Sequence, residues 1–268
     1  MKTSYRILAA LLAATACMHL YAEAPAPVAI AIHAGAGTIE RSNMDEAREK
    51  QIRAALEKAV RAGHEVLQSG GTSLDAIVRA VTLLEDTPFF NAGKGAVFNS
   101  AGKNELDASI MDGSDLNAGA VAGVHNIRNP VLLARKVMTD SRHVMLGGEG
   151  AVTFAREQGI EFAEDEYFHT DYRWQQLEKA RAAEEADAAF QPEFPDRLFS
   201  TVGAVAVDQS GNLAAATSTG GMTNTRWGRI GDAPIIGAGN YADNRSCAVS
   251  ATGHGEYFIR ATVARDIC

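Results

Sequence analysis

Ser200-Thr-Val-Gly-Ala-Val-Ala-Val-Asp208, Gln209-Ser-Gly-Asn212 and Leu213-Ala-Ala-Ala-Thr-Ser-Thr-Gly-Gly221 form the stretch whose reading decides the fold. Thr201, Gly203, Val205 and Val207 alternate with Val202, Ala204 and Ala206, the period of a strand packed on both faces. The second segment has the same character. Gln209-Ser210-Gly211 between them suits a three-residue hairpin loop with Gly211 left-handed, closed by Asp208 and Asn212. That register sets Thr201 opposite Thr219.

Residues 182–200 are acidic and carry Pro192 and Pro195, so an exposed linker is expected to run straight into the buried strand. A cut between Ser200 and Thr201 frees an α-amine, which titrates near neutrality. A threonine with a free amine beside its hydroxyl carries its own general base. By itself, a strand threonine expresses only β-propensity; its position at the end of the linker makes it a candidate nucleophile.

The wider pattern resembles the plant-type asparaginases, or isoaspartyl peptidases, of the N-terminal nucleophile hydrolases. Beyond the hairpin and Gly228-Arg-Ile-Gly-Asp232, the resemblance is carried by His33-Ala-Gly-Ala-Gly37, Phe90-Asn-Ala-Gly-Lys-Gly-Ala-Val-Phe98, Glu105-Leu-Asp-Ala-Ser-Ile-Met-Asp-Gly113 and Thr252-Gly-His-Gly-Glu256, all in order. It implies an α+β fold: a four-layer αββα sandwich with helices outside two antiparallel sheets, incomplete at its C-terminal end. It also implies hydrolysis of L-asparagine and β-aspartyl dipeptides after self-cleavage at Ser200-Thr201. Thr201 is then the nucleophile, Thr219 its hydrogen-bond partner, and Thr252 with Gly253 the oxyanion hole. Arg229 and Asp232 offer opposite charges to a zwitterion, with Gly253 and Gly255 adding backbone contacts and Asn91 positioning the nucleophile or the processing site.

The resemblance further implies a structural sodium ion held by the backbone carbonyls of Leu84, Glu85, Thr87, Phe90, Ala92 and Lys94, and no other cofactor is expected. The implied assembly is a dimer of cleaved αβ units. A glycosylasparaginase on the same fold is disfavoured, because Ser200 stands where those enzymes have aspartate. Asparaginases of the family usually have glycine there, and serine reaches strained backbone angles less freely. The chain stops at Cys268 inside an apparent helix where the family continues. Turnover is therefore expected to need the later segment, the alternative being an inactive fragment.

Lys2 and Arg6 precede the apolar run Ile7–Ala16, and small Ala22 follows. These features predict an export signal over 1–22 and a secreted or periplasmic protein, with lipidation at Cys17 the alternative. The expected organisation is then an α subunit over 23–200 and the start of a β subunit over 201–268. At 46% hydrophobic and 22% charged the chain can bury a sizeable core, and a net charge of −8 without a basic run argues against a nucleic-acid partner. No membrane contact is expected of the mature form. Cys17, Cys247 and Cys268 have unrelated spacings and suggest neither a metal site nor a disulfide framework. Helices are expected over 44–68, from Asp75 to Leu84 with Thr72 as cap, from Pro130 through Val137, from Gly147–Gly150 onward, and from Tyr172 to about Ala189. Strand-like segments fall around Val97, Leu106–Met111 and Ala118–Val124.

Overall fold

The computed structural model describes residues 26–35, 45–186 and 201–268. The export segment, Cys17, Ala36-Gly37, Ser200 and residues 187–200 of the linker lie outside them.

Strands β1 (Ala29–His33), β2 (Leu106–Asp112), β3 (Ala118–Val124), β4 (Met145–Gly147), β5 (Val202–Val207) and β6 (Leu213–Thr219) form one sheet in the order β1-β5-β6-β2-β3-β4. All neighbours are antiparallel except β3 and β4. The expected hairpin is present: Val202 faces Ser218 and Val207 faces Leu213, Gly211 has φ 78°, and its N–H donates to the Asp208 carbonyl (2.9 Å).

The alternation sorts the two faces. Val202, Ala204, Ala206, Ala214 and Ala216 turn into the main core, under helices α1 (Glu46–Gln68), α2 (Ser73–Glu85), α3 (Pro130–Asp140) and α4 (Gly148–Glu157). Ala215 and Val205 turn the other way, with Met111, onto β7 (Asn240–Ala242) and β8 (Ala248–Ser250), a second antiparallel sheet. Behind it lie the short helices α7 (Gly255–Ala261) and α8 (Val263–Ile267), α8 packing on β7 and β8. Two further helices, α5 (Asp165–Phe168) and α6 (Asp171–Ala186), precede the linker. The result is the helix–sheet–sheet–helix order that the resemblance implied, but the parallel pairing of β3 with β4 makes the larger sheet mixed and not wholly antiparallel.

Small side chains let these layers approach closely. A Cβ on Gly203 would lie 1.9 Å from Ser250 Oγ and 2.5 Å from His33 Nε2, so glycine is what lets β8 and the His33 ring meet over β5. Local signals hold too: Thr72 caps α2, its hydroxyl oxygen accepting from the Asp75 N–H (3.1 Å), and Pro130 opens α3.

Two further expectations are corrected. Val97 lies in an irregular segment, where its N–H donates to Asn91 Oδ1 (2.9 Å) and not to a strand. Cys247 and Cys268 form a disulfide with Cα atoms 5.3 Å apart. The 21-residue separation disguises the pair: β8 carries the chain out, α7 and α8 bring it back across the small sheet, and the last residue returns to the turn before β8.

Candidate active site

Thr201 sits at the head of β5, 8% exposed, and its hydroxyl donates to Thr219 Oγ1 at 2.9 Å. The Gly221 N–H reaches the same oxygen (3.1 Å). Thr219 is thereby fixed as acceptor, and the Thr201 oxygen keeps its lone pairs for attack. Asn91 secures the turn after Thr219 in two ways and ties it to the Val97 segment by a third contact. Its Nδ2 donates to the Gly221 carbonyl (2.7 Å), its main-chain carbonyl accepts from Gly220 (3.1 Å), and its Oδ1 accepts from Val97.

Thr252 and Gly253 follow β8 in a half-buried bend, Gly253 against the Phe258 ring. Gly255 sits where a Cβ would come 2.8 Å from Arg229 Nη2 and 2.9 Å from Asp232 Oδ1, so the loop joining β8 to α7 presses directly on the charged pair. Arg229 does not pair with Asp232. Its Nε and Nη2 donate to the two oxygens of Glu256 (2.9 and 3.1 Å), a fork that sequence reasoning missed. Asp232 is buried, with Oδ2 unpartnered; burial pushes its carboxyl up to about 6, against the pull of Arg229.

A further carboxyl was also missed. Asp107 on β2 stands directly across from Thr219, at a register shift between β2 and β3. It accepts from the Gly123 N–H (2.8 Å), and burial pushes it up to about 7. With Glu105, Gly220, Thr225 and Arg229 it lines a narrow cavity at the end of β6, the strand that carries Thr219. A larger cavity of about 520 Å³, lined by Phe98, Lys103, His125 and Asp165 among others, includes none of the predicted catalytic residues.

Glu85, on the main-core side, is fully buried. Its Oε1 accepts from the hydroxyl of Ser218, the neighbour of Thr219 (2.6 Å), and from the Val131 N–H (3.0 Å), while Oε2 has no partner. Burial pushes this carboxyl from its ordinary 4.5 to about 8. The folded protein therefore holds a proton that the unfolded chain releases across that window, so this contribution to stability is full below about 4.5 and is lost as pH rises to about 8. Asp107 and Asp232 act with the same sign. Glu85→Gln keeps the acceptor and removes the titration. Denaturant melts between pH 5 and 8 should show the loss of stability lessened by up to ~1.4 kcal/mol per pH unit; equal slopes in parent and variant would disprove a titrating Glu85.

This arrangement joins a buried threonine pair, a charged fork and an unpartnered carboxyl around the junction of two sheets. The family model described as Asparaginase matches residues 26–268. The chain belongs to this family. It is 53% identical over 240 residues to the isoaspartyl peptidase of Escherichia coli (strain K12), covering 89% of this chain and 75% of that protein. The isoaspartyl peptidase of Salmonella typhimurium is 52% identical over 240 residues, with 89% and 77% covered. The isoaspartyl peptidase/L-asparaginase of Homo sapiens is 44% identical over 239 residues, with 89% and 75% covered. Within this asparaginase-family chain, the structure brings Thr201, Thr219 and Asn91 together by direct hydrogen bonds or through the Gly220-Gly221 turn, and gathers Arg229, Asp232 and Gly255 into one cluster.

Proposed function

We propose that this chain is a self-cleaving amidohydrolase of L-asparagine and β-aspartyl dipeptides that works through Thr201 as an N-terminal nucleophile. The observation that carries the reading is the Thr201–Thr219 hydroxyl contact at the head of β5. The names of the relatives support the substrate class.

In the first event the Thr201 hydroxyl attacks the Ser200 carbonyl carbon. The C–O bond forms as the C–N bond breaks, and the hydroxyl proton ends on the new amine. Water then hydrolyses the ester, leaving a carboxylate on Ser200 and a free α-amine on Thr201. In turnover that amine takes the hydroxyl proton as the oxygen attacks the side-chain carbonyl of the substrate. The Thr252 hydroxyl and the Gly253 N–H receive the oxyanion. Ammonia, or an amino acid from a dipeptide, departs with the proton, and water hydrolyses the aspartyl ester. Arg229 takes the substrate's α-carboxylate, and the unpartnered Asp232 takes its α-ammonium.

A structural sodium ion is proposed for the segment after α2. The terminal carbonyls of Leu84 and Glu85, at the negative end of the helix dipole, and those of Thr87, Phe90, Ala92 and Lys94 would hold it with neutral oxygens. Such an ion would serve a structural role, tying the end of α2 to the segment that follows it. Export rests on the sequence of residues 1–22, and pairing of cleaved units on the family resemblance.

Incubation of the purified protein, with the later segment that turnover is expected to need in place, followed by N-terminal sequencing tests the reading. A new end at Thr201, ammonia from asparagine and free leucine from β-aspartyl-leucine are expected. A new end elsewhere, or neither product released, would overturn it.

A further inference from the structure

A chain of hydrogen bonds runs across the face of β5 just below Thr201. His33 Nε2 lies 2.9 Å from Ser250 Oγ, Ser250 Oγ lies 2.6 Å from Thr217 Oγ1, and the Thr217 hydroxyl donates to the Gly239 carbonyl at 2.9 Å. The chain joins the edge strand β1, the small sheet at β8, and β6, passing over Gly203, where a side chain of any size would break it. Its proton order follows from what each group can do. A carbonyl only accepts, so the Thr217 proton is spent on Gly239. Ser250 must then give its proton to Thr217, which leaves Ser250 Oγ as acceptor toward His33. His33 therefore carries its proton on Nε2.

Placement gives this order a consequence. Ser250 ends β8, and Thr252 with Gly253 follow within three residues. His33 pairs with Gly203, two residues from Thr201, so the chain ties the segment assigned to the oxyanion hole to the strand carrying the nucleophile. Burial holds the imidazole down to about 4, with the Thr201 main chain offsetting part of the effect, so the ring is neutral at ordinary pH.

The geometry points to His33 as a positioning residue of the hydrolytic reaction: by donating Nε2–H to Ser250 it locks β8, and with it Thr252-Gly253, in register with Thr201. This rests on the function proposed above and adds a residue that never touches the substrate. Errors of an ångström in such a register can cost about 10²-fold in rate.

The test compares cleaved parent enzyme with His33→Leu, His33→Gln, Ser250→Ala and the double variant His33→Leu/Ser250→Ala, by steady-state kinetics on asparagine. His33→Leu and Ser250→Ala should each lower kcat about tenfold or more, with KM within about threefold. His33→Gln, whose amide N–H replaces Nε2–H, should return kcat to within about threefold of the parent. The double variant should lose no more than either single one, because both break one chain. Additive losses, a glutamine variant as slow as leucine, or an effect confined to KM would overturn the inference. Turnover by the parent, abolished in Thr201→Ala, reports separately on the proposed function.

Discussion

Replacing Thr201 by alanine is expected to leave the chain in one piece and to lower kcat by at least about 10⁴-fold. The one hydroxyl serves two attacks, first on the Ser200 carbonyl and then on the substrate, so its loss removes both the release of the amine and the nucleophile. Neighbouring hydroxyls do not substitute. Thr219 Oγ1 is filled by donors from Thr201 and Gly221, and Ser218 is turned away, donating to Glu85 in the main core. The alanine methyl fits at a site 8% exposed, so the fold should survive with a melting temperature close to that of the uncleaved parent. Intact mass and ammonia release measure the outcome. Splitting of the alanine variant before residue 201, or residual turnover within a hundredfold, would show that another group leads the attack.

The hairpin that holds Thr201 was legible because its determinants are local. Alternation of small apolar residues fixes two faces, and the three-residue loop with Gly211 leaves one register, which places Thr201 on Thr219. The Thr72 cap and the Pro130 helix start are local in the same way. Strands β4, β7 and β8 are three residues long, too short for a period of two to show. Their existence is a matter of what packs beside them.

The functional residues divide similarly. Arg229 and Asp232 were found through their motif, but the fork between Arg229 and Glu256 spans 27 positions and depends on α7 starting at Gly255. A hint lay in the sequence: Glu256 directly follows the glycine that presses on Arg229. Asp107 and Glu85 needed the whole sheet order. Asp107 meets Thr219 only because β2 neighbours β6, and Glu85 reaches Ser218 through the packing of α2 on that strand. The disulfide of Cys247 and Cys268 is likewise a product of the path through α7 and α8.

Arg229→Ala should raise KM for asparagine on the order of 10²-fold while self-cleavage at Thr201 persists, since processing handles no free amino acid. The direct loss is the charge-assisted contact with the substrate carboxylate, worth roughly 1.5–3 kcal/mol. A second loss comes through Asp232. Arg229 opposes the upward push of burial on both Asp232 and Asp107, and Glu256 pushes Asp232 further up. Without the guanidinium, Asp232 rises from about 6 toward neutrality and is increasingly protonated, so the ammonium end of the substrate loses its counter-charge as well. The acid limb of kcat/KM in the variant should therefore move to higher pH than in the parent. Glu256→Gln should do the opposite to that limb, because it removes a like charge from beside Asp232, and should cost only a few-fold in KM because the amide still holds one arm of the fork. A pH profile of kcat/KM for the three proteins decides the matter. An unshifted acid limb in Arg229→Ala would detach Asp232 from the binding of the ammonium, and an unchanged KM would move the carboxylate site away from Arg229.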